Sequence, residues 1–301
     1  MNIVIFGAGA MGSLFGTLLS KKHNVVLISR SSHVDAIRRS GLKVTGKTKL
    51  NVKVCAVDSV NKVMFSPDLL VITVKSYDTE GAIKEAKSII GDNTIVVSLQ
   101  NGLDNIEKIE KHVNRERLVA CITTHGVVFS KPGLIKHTGV GKTVLGGLSI
   151  RNTQNAVGIA KMLNDVGIKT TVSNDVVKEI WIKAIVNSSI NPLTALFNCK
   201  NGYVLENPIL ENILEKICGE STSIAITEGI NVSYDDMIRN TKEVIRDTAN
   251  NYSSMLQSIQ QGKQTEIDSI NGVLLEVGRK HGLESLMNEL LVYSIKSVCK
   301  K

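Results

Sequence analysis

The sequence predicts an α/β domain built on a mostly parallel sheet, followed by an all-α domain. Three observations carry this: short β-branched runs alternate with helical patterns through the first half, the strand signals stop near Asp175, and a glycine-rich turn directly follows the first strand. At 301 residues the chain is too long for one ordinary core and suits two domains, expected at 1–174 and 175–301.

The strand-like runs are NIVIF, VVLIS, KVCAV, LLVITV, TIVVSL, LVACITT and TVLGG. They are apolar throughout rather than alternating, as strands covered by helices on both faces should be. Beyond Asp175, helices are predicted over 177–189, 207–228, 234–261 and 265–281, with Gly229, Gly262 and Gly282 as breaks. Asn191 precedes Pro192, and a residue before proline avoids the α conformation, so the first of these helices is expected to end or kink there.

The composition is globular, and no apolar run approaches the ~20 residues of a membrane span. The start, MNIVIFGAG, enters a strand without a basic segment or a cleavage site, so a cytoplasmic protein is expected rather than a secreted one. Cys55, Cys121, Cys199, Cys218 and Cys299 are odd in number and far apart, which reads as reduced thiols. The histidines are equally scattered, and no metal site is expected. The net charge of +8 divides into +11 up to Asn174 and −3 beyond it, and with 4% aromatic residues and no basic run interleaved with stacking side chains, an anionic cofactor and substrate explain the basic half better than nucleic acid.

Gly7, Ala8, Gly9, Ala10, Met11 and Gly12 form a GxGxxG turn between the first strand and an apolar helical stretch, the context a dinucleotide fingerprint requires. Gly7 permits the tight turn, Gly9 the approach of a pyrophosphate, and Gly12 close packing of helix on strand. The alternative is a glycine turn that binds nothing. With the fingerprint, the fold class becomes an α/β Rossmann-type dinucleotide-binding domain followed by an all-α C-terminal domain. The second strand ends Ile28-Ser29-Arg30, with no acid between Val25 and Val34. A guanidinium there suits a 2′-phosphate, so NADP (NADPH) is expected over NAD; a solvated surface arginine is the alternative. Lys75 and Asn101 follow two later strands, where ligands of open α/β sheets gather, and both are candidates for the same crevice.

In the second half, Lys183, Asn187 and Asn191 are spaced i, i+4 and i+8, along one helical stripe surrounded by apolar residues. A cation and two amides are costly to bury without partners, and a polar ligand would satisfy them. A structural network in which the amides bond to backbone and Lys183 to a carboxylate is the competing reading.

The stretch WIKAIVNSSINPLTALFNCKNG resembles the signature of the ketopantoate reductase (2-dehydropantoate 2-reductase) family, and NNYSSMLQSIQQGKQTEIDSINGVLL agrees with it. With GAGAMG, VKSYDT and SLQNGL, the resemblance covers almost the whole chain. It implies NADPH-dependent reduction of 2-dehydropantoate to (R)-pantoate, towards pantothenate and coenzyme A. Lys183 would be the general acid, and Asn187, Asn191, Asn201 and Ser254 would contact substrate. Asn251, three residues before Ser254 on the same predicted helical face, would join them. Asn101 would touch both cofactor and substrate, and Glu266 would lie at the nicotinamide end, bridging cofactor and active site. A backbone contact to the cofactor is expected around Val127, although THGVVF departs from the small residues usual there. The implied partner is a small 2-keto acid, with neither nucleic acid nor membrane; a homodimer is left open. The alternatives are a paralogous NADPH-dependent reductase of another branched 2-keto acid and a non-catalytic NADPH sensor. Lys183 and Glu266 argue against the sensor, since binding alone needs no acid.

Overall fold

The computed structural model describes residues 1–149 and 152–299. The chain forms two compact units: Met1–Gln100 with Asn105–Val176, and Asn101–Asp104 with Val177–Lys301.

The strands of the first unit are β1 (Asn2–Phe6), β2 (Asn24–Ile28), β3 (Leu42–Gly46), β4 (Leu50–Val52), β5 (Cys55–Val57), β6 (Leu69–Ile72), β7 (Ile95–Ser98), β8 (Leu118–Thr123), β9 (Gly126–Lys131), β10 (Leu134–Gly139), β11 (Thr143–Gly147) and β12 (Thr170–Val172). Its helices are α1 (Ala10–Leu19), α2 (Ser31–Ser40), α3 (Thr79–Ala86), α4 (Asn105–Glu110) and α5 (Thr153–Asp165). Among the described residues, eight strands pair in the order β12-β11-β8-β7-β6-β1-β2-β5, all parallel except β8 with β11. In β1, Ile3 and Ile5 join one buried cluster while Val4 and Phe6 join another on the opposite face, which explains the uninterrupted apolar run. The chain leaves β1 for β2 on one side and returns to β6 on the other, making β1 the topological switch point. Phe6 lies level with Ile28 and Ile72, and Ile72 with Ser98, so these four strands finish in one row.

A second sheet, β4-β3-β10-β9, has no counterpart among the strands expected from the sequence. Its strands lack the unbroken apolar runs of the main sheet, and β3 pairs with β10 across a long separation. Leu42, Val44 and Ile135 pack into the same cluster as Leu14 and Phe15 of α1.

The second unit holds α6 (Val176–Leu196), α7 (Tyr203–Glu206), α8 (Pro208–Thr227), α9 (Tyr234–Asp247), α10 (Ser254–Gln260), α11 (Val273–Lys280) and α12 (Leu286–Cys299). Three expectations are corrected. First, α6 does not end at Asn191: it runs through Pro192 to Leu196. Proline removes a donor to the carbonyl four residues back, here that of Ser188, and Asn271 Nδ2 donates to that oxygen instead at 3.1 Å. Second, the helix expected over 234–261 is two helices, because Ser253 accepts from the Leu256 N–H and starts α10 afresh. Third, the expected helix at 265–281 opens with a π-turn, Asp268–Gly272, before α11. Among the described residues, no helix is long and apolar enough to cross a membrane.

Candidate functional site

In the first unit, the glycine turn leaves β1 with Gly7 at φ +91°, where a side chain is strained. A Cβ on Gly7 would also lie 2.7 Å from Val74 N, and one on Gly12 would overlap Thr73 Oγ1, so Gly7 lets neighbouring backbone close in and Gly12 a neighbouring side chain. Gly9 is different: a Cβ there would meet nothing nearer than Gly7 O at 3.8 Å. Gly9 caps α1 without a side-chain hydrogen bond, and the first turn of α1 carries no acid. First-turn N–H groups lack helical acceptors and favour anions, so this cradle fits a pyrophosphate.

Gly7 and Ala8 N–H both donate to Ile28 O, tying the turn to the end of β2. Arg30 follows as an exposed residue capping α2. Asp58 follows β5, which pairs with β2; its carboxylate pairs with Lys62 at 2.6 Å, which holds its pKa below the ordinary value. Lys75 caps the short helix after β6 and is half-buried. Gln100 fastens the neighbouring strand ends, donating to Val74 O at 2.9 Å and Thr79 Oγ1 at 2.7 Å. Val127 lies in β9, level with His137, and its side chain packs against the core.

A relay that the sequence reading missed supports the glycine turn. His33, 2% exposed, accepts at Nδ1 from Gly133 N–H (2.9 Å), so its proton sits on Nε2 and is donated to Ser13 Oγ (3.1 Å). Ser13 Oγ in turn donates to Ala8 O at 3.1 Å. Nearby, His125 Nδ1 accepts from Gly141 N–H and faces His137 Nε2 at 3.0 Å. Burial, reinforced by His137, pushes His125 down to about 4, and burial lowers His33 and His137 as well. The unfolded chain therefore binds more protons below the ordinary value of 6.5, and stability should fall as pH drops from about 6.5 towards about 4. Thermal unfolding of the wild type and His125→Asn across this window checks it. The variant should lose less stability on acidification; equal slopes would contradict the assignment.

In the second unit, α6 carries Lys183, Asn187 and Asn191 in unbroken helical register. Lys183 and Asn187 are half-buried rather than enclosed, and Asn191 is 7% exposed. Trp181, Ile185 and Ile190 of the same helix pack into the helical core. Asn201 is buried; its Nδ2 donates to Thr248 Oγ1 at 2.9 Å, while its Oδ1 has no partner among the described residues. Asn251 does not share a helical face with Ser254, because α9 ends at Asp247 and Asn251 lies in the connection before α10. There its carbonyl accepts from Asn201 N–H at 3.0 Å, bringing these two residues together through backbone. Ser254 is exposed at the start of α10, and the hydroxyl that meets α6 is that of Ser253, 2.7 Å from Thr194 Oγ1.

Asn101 begins a short segment of the second unit, where its Nδ2 lies 3.5 Å from Glu266 Oε2. Leu103 N–H donates to Ser269 O at 2.9 Å and Ser269 Oγ to Asp104 Oδ2 at 3.2 Å, fastening this segment to the π-turn. Glu266 is 6% exposed. Within the first unit the cradle suits a dinucleotide pyrophosphate, and within the second the polar stripe of α6 and the Asn101–Glu266 pair offer hydrogen-bonding groups to a small polar ligand.

A family model described as ketopantoate reductase PanE/ApbA matches residues 3–149, and one for the C-terminal part of the same family matches residues 175–298. The chain is 41% identical over 299 residues to the 2-dehydropantoate 2-reductase of Pyrococcus abyssi, covering 98% of this chain and 97% of that protein. It is 38% identical over 300 residues to the 2-dehydropantoate 2-reductase of Pyrococcus horikoshii, covering 99% and 97%. Among solved structures, D-mandelate dehydrogenase with NADH and anilino(oxo)acetate matches with a TM-score of 0.95 at 27% identity, covering 100% of this chain and 99% of that one. A PanE/ApbA family ketopantoate reductase from Ralstonia eutropha matches with a TM-score of 0.92 at 27% identity, with the same coverage. The chain belongs to the ketopantoate reductase family.

Proposed function

We propose that this protein reduces 2-dehydropantoate to (R)-pantoate with NADPH, a step towards pantothenate and coenzyme A. The first half binds the nucleotide and the helical half holds the keto acid. The observation that carries the reading is α6, in which Lys183, Asn187 and Asn191 keep one helical register in a chain 41% identical to a 2-dehydropantoate 2-reductase over nearly its full length.

The residues divide the work. Gly7, Ala8, Gly9, Ala10, Met11 and Gly12 cradle the pyrophosphate, Arg30 takes the 2′-phosphate, and Lys75, Asn101 and the Val127 backbone complete the cofactor contacts. When bound, NADPH supplies the hydride. Hydride addition leaves negative charge on the substrate oxygen, and Lys183 donates the proton that neutralises it. Asn187, Asn191, Asn201, Asn251 and Ser254 orient the carboxylate and hydroxyl, which converts binding into reactive geometry. Asn201 Oδ1 supports this role, since a buried acceptor without a partner is destabilising and a substrate hydroxyl would satisfy it. Glu266 pairs with Asn101 at the nicotinamide end.

The proposal extends to a cytoplasmic enzyme, supported by free cysteines at 55, 121, 199, 218 and 299. It also extends to a homodimer, supported by Leu286, Leu290 and Tyr293, which are exposed along one stripe of α12.

The likeness to D-mandelate dehydrogenase favours a second reading, reduction of a bulkier 2-keto acid. NADPH oxidation with a panel of pyruvate, 2-ketoisovalerate, phenylglyoxylate and ketopantoate separates the two. Ketopantoate should give the highest kcat/KM; a clear win for another keto acid would replace this proposal with the second reading.

A further inference from the structure

Pro192 lies inside α6, and its missing N–H leaves the Ser188 carbonyl without a helical donor. Ser188 is fully buried, so water does not take the place of that donor. Asn271, also fully buried, donates through Nδ2 to Ser188 O at 3.1 Å and to Asn288 Oδ1 at 3.0 Å. Asn288 Nδ2 continues to Glu220 Oε1 at 2.7 Å and Ser221 Oγ at 3.2 Å, and Ser221 Oγ returns to Ser188 Oγ at 3.1 Å. The amide of Asn271 has one workable orientation, because a flip would set Oδ1 against two acceptors. Asn271 lies in the π-turn, in which Gly272 N–H reaches back five residues to Ile267 O. π-Turns of this kind recur at functional sites.

We infer that Asn271 is a positioning residue for the reaction: its side-chain amide substitutes for the absent proline N–H and holds α6 in register through Asn187 and Asn191. Asn187 and Ser188 share a peptide bond, and Asn191 directly precedes Pro192, so a displaced Ser188 carbonyl would move the candidate substrate contacts first. The inference rests on the functional reading of α6 given above.

A double-mutant cycle in the full chain tests it, with Asn271→Ala, Pro192→Ala and the double variant. Alanine at position 192 restores an N–H for Ser188 O, so the two substitutions should couple. Asn271→Ala should raise the KM for ketopantoate by about tenfold while the KM for NADPH stays within about twofold, the loss expected when a buried carbonyl is left unpaired. In the Pro192→Ala background, the same substitution should cost less than about threefold, since residues sharing a partner are not additive. Equal losses in both backgrounds, or a loss confined to thermal stability or to NADPH, would overturn the inference. If Asn271→Ala fails to fold, the double variant decides: folded and active it supports the inference, and unfolded it overturns it. A wild type inactive on ketopantoate would count against the functional reading instead. The cycle is then read with whichever keto acid is turned over, or, with none, from the coupling in the Kd for ketopantoate.

Discussion

Lys183→Ala should lower kcat for ketopantoate reduction by roughly 10²–10⁴, the usual worth of a positioned general acid. Lys183 stands half-buried in α6, in register with Asn187 and Asn191 and flanked by residues committed to the helical core. Proton donation to the developing alkoxide is needed only as the hydride arrives, so the loss should fall on kcat, with the KM for NADPH nearly unchanged. A lysine that merely bound the substrate carboxylate would instead raise the KM for the keto acid and leave kcat near wild type at saturation. Circular dichroism establishes first that the variant folds, because removing a cation from so apolar a helix changes its packing. A folded Lys183→Ala protein with wild-type kcat would remove Lys183 from the chemistry.

The second large effect is expected at Arg30. Wild type should prefer NADPH over NADH by well over tenfold in kcat/KM. Arg30→Ala should erode that preference mainly through the KM for NADPH, since a charge-assisted hydrogen bond is worth roughly 1.5–3 kcal/mol, or about 10–150-fold. Arg30 is exposed at the cap of α2, with freedom to close on a phosphate, and no acid sits beside it between Val25 and Val34. Asp58, the acid that β5 brings alongside β2, is already paired with Lys62. The comparison matters because a structural relative at 27% identity carries NADH. Equal kcat/KM for the two cofactors in the wild type would contradict the role of Arg30.

Seven strands of the main sheet were legible because they are largely buried and read as unbroken apolar runs; the edge strand β12, Thr170–Val172, was not. The second sheet was not: β10 contributes Ile135 and His137 to the interior between exposed or half-exposed residues, and its partner β3 lies far away in sequence. The glycine turn was readable because Gly7 and Gly12 answer to local backbone geometry. The relay from Gly133 through His33 and Ser13 to Ala8 was not, since it joins three separated segments. The Lys183 stripe followed from helical periodicity alone. Its continuation past Pro192 depends on an amide 79 positions later, a compensation that no local rule anticipates. Asn251 was misplaced for a related reason: with glycines taken as the breaks, one helix was carried across Thr248–Ser253, where Ser253 starts a new one.

The chemistry is tested most directly by incubating the wild-type protein with ketopantoate and NADPH and resolving the product by chiral chromatography. One equivalent of (R)-pantoate should form for each NADPH consumed, with one proton taken up. NADPH consumption without pantoate, the opposite enantiomer, or no turnover of ketopantoate where another 2-keto acid is reduced readily would contradict the account.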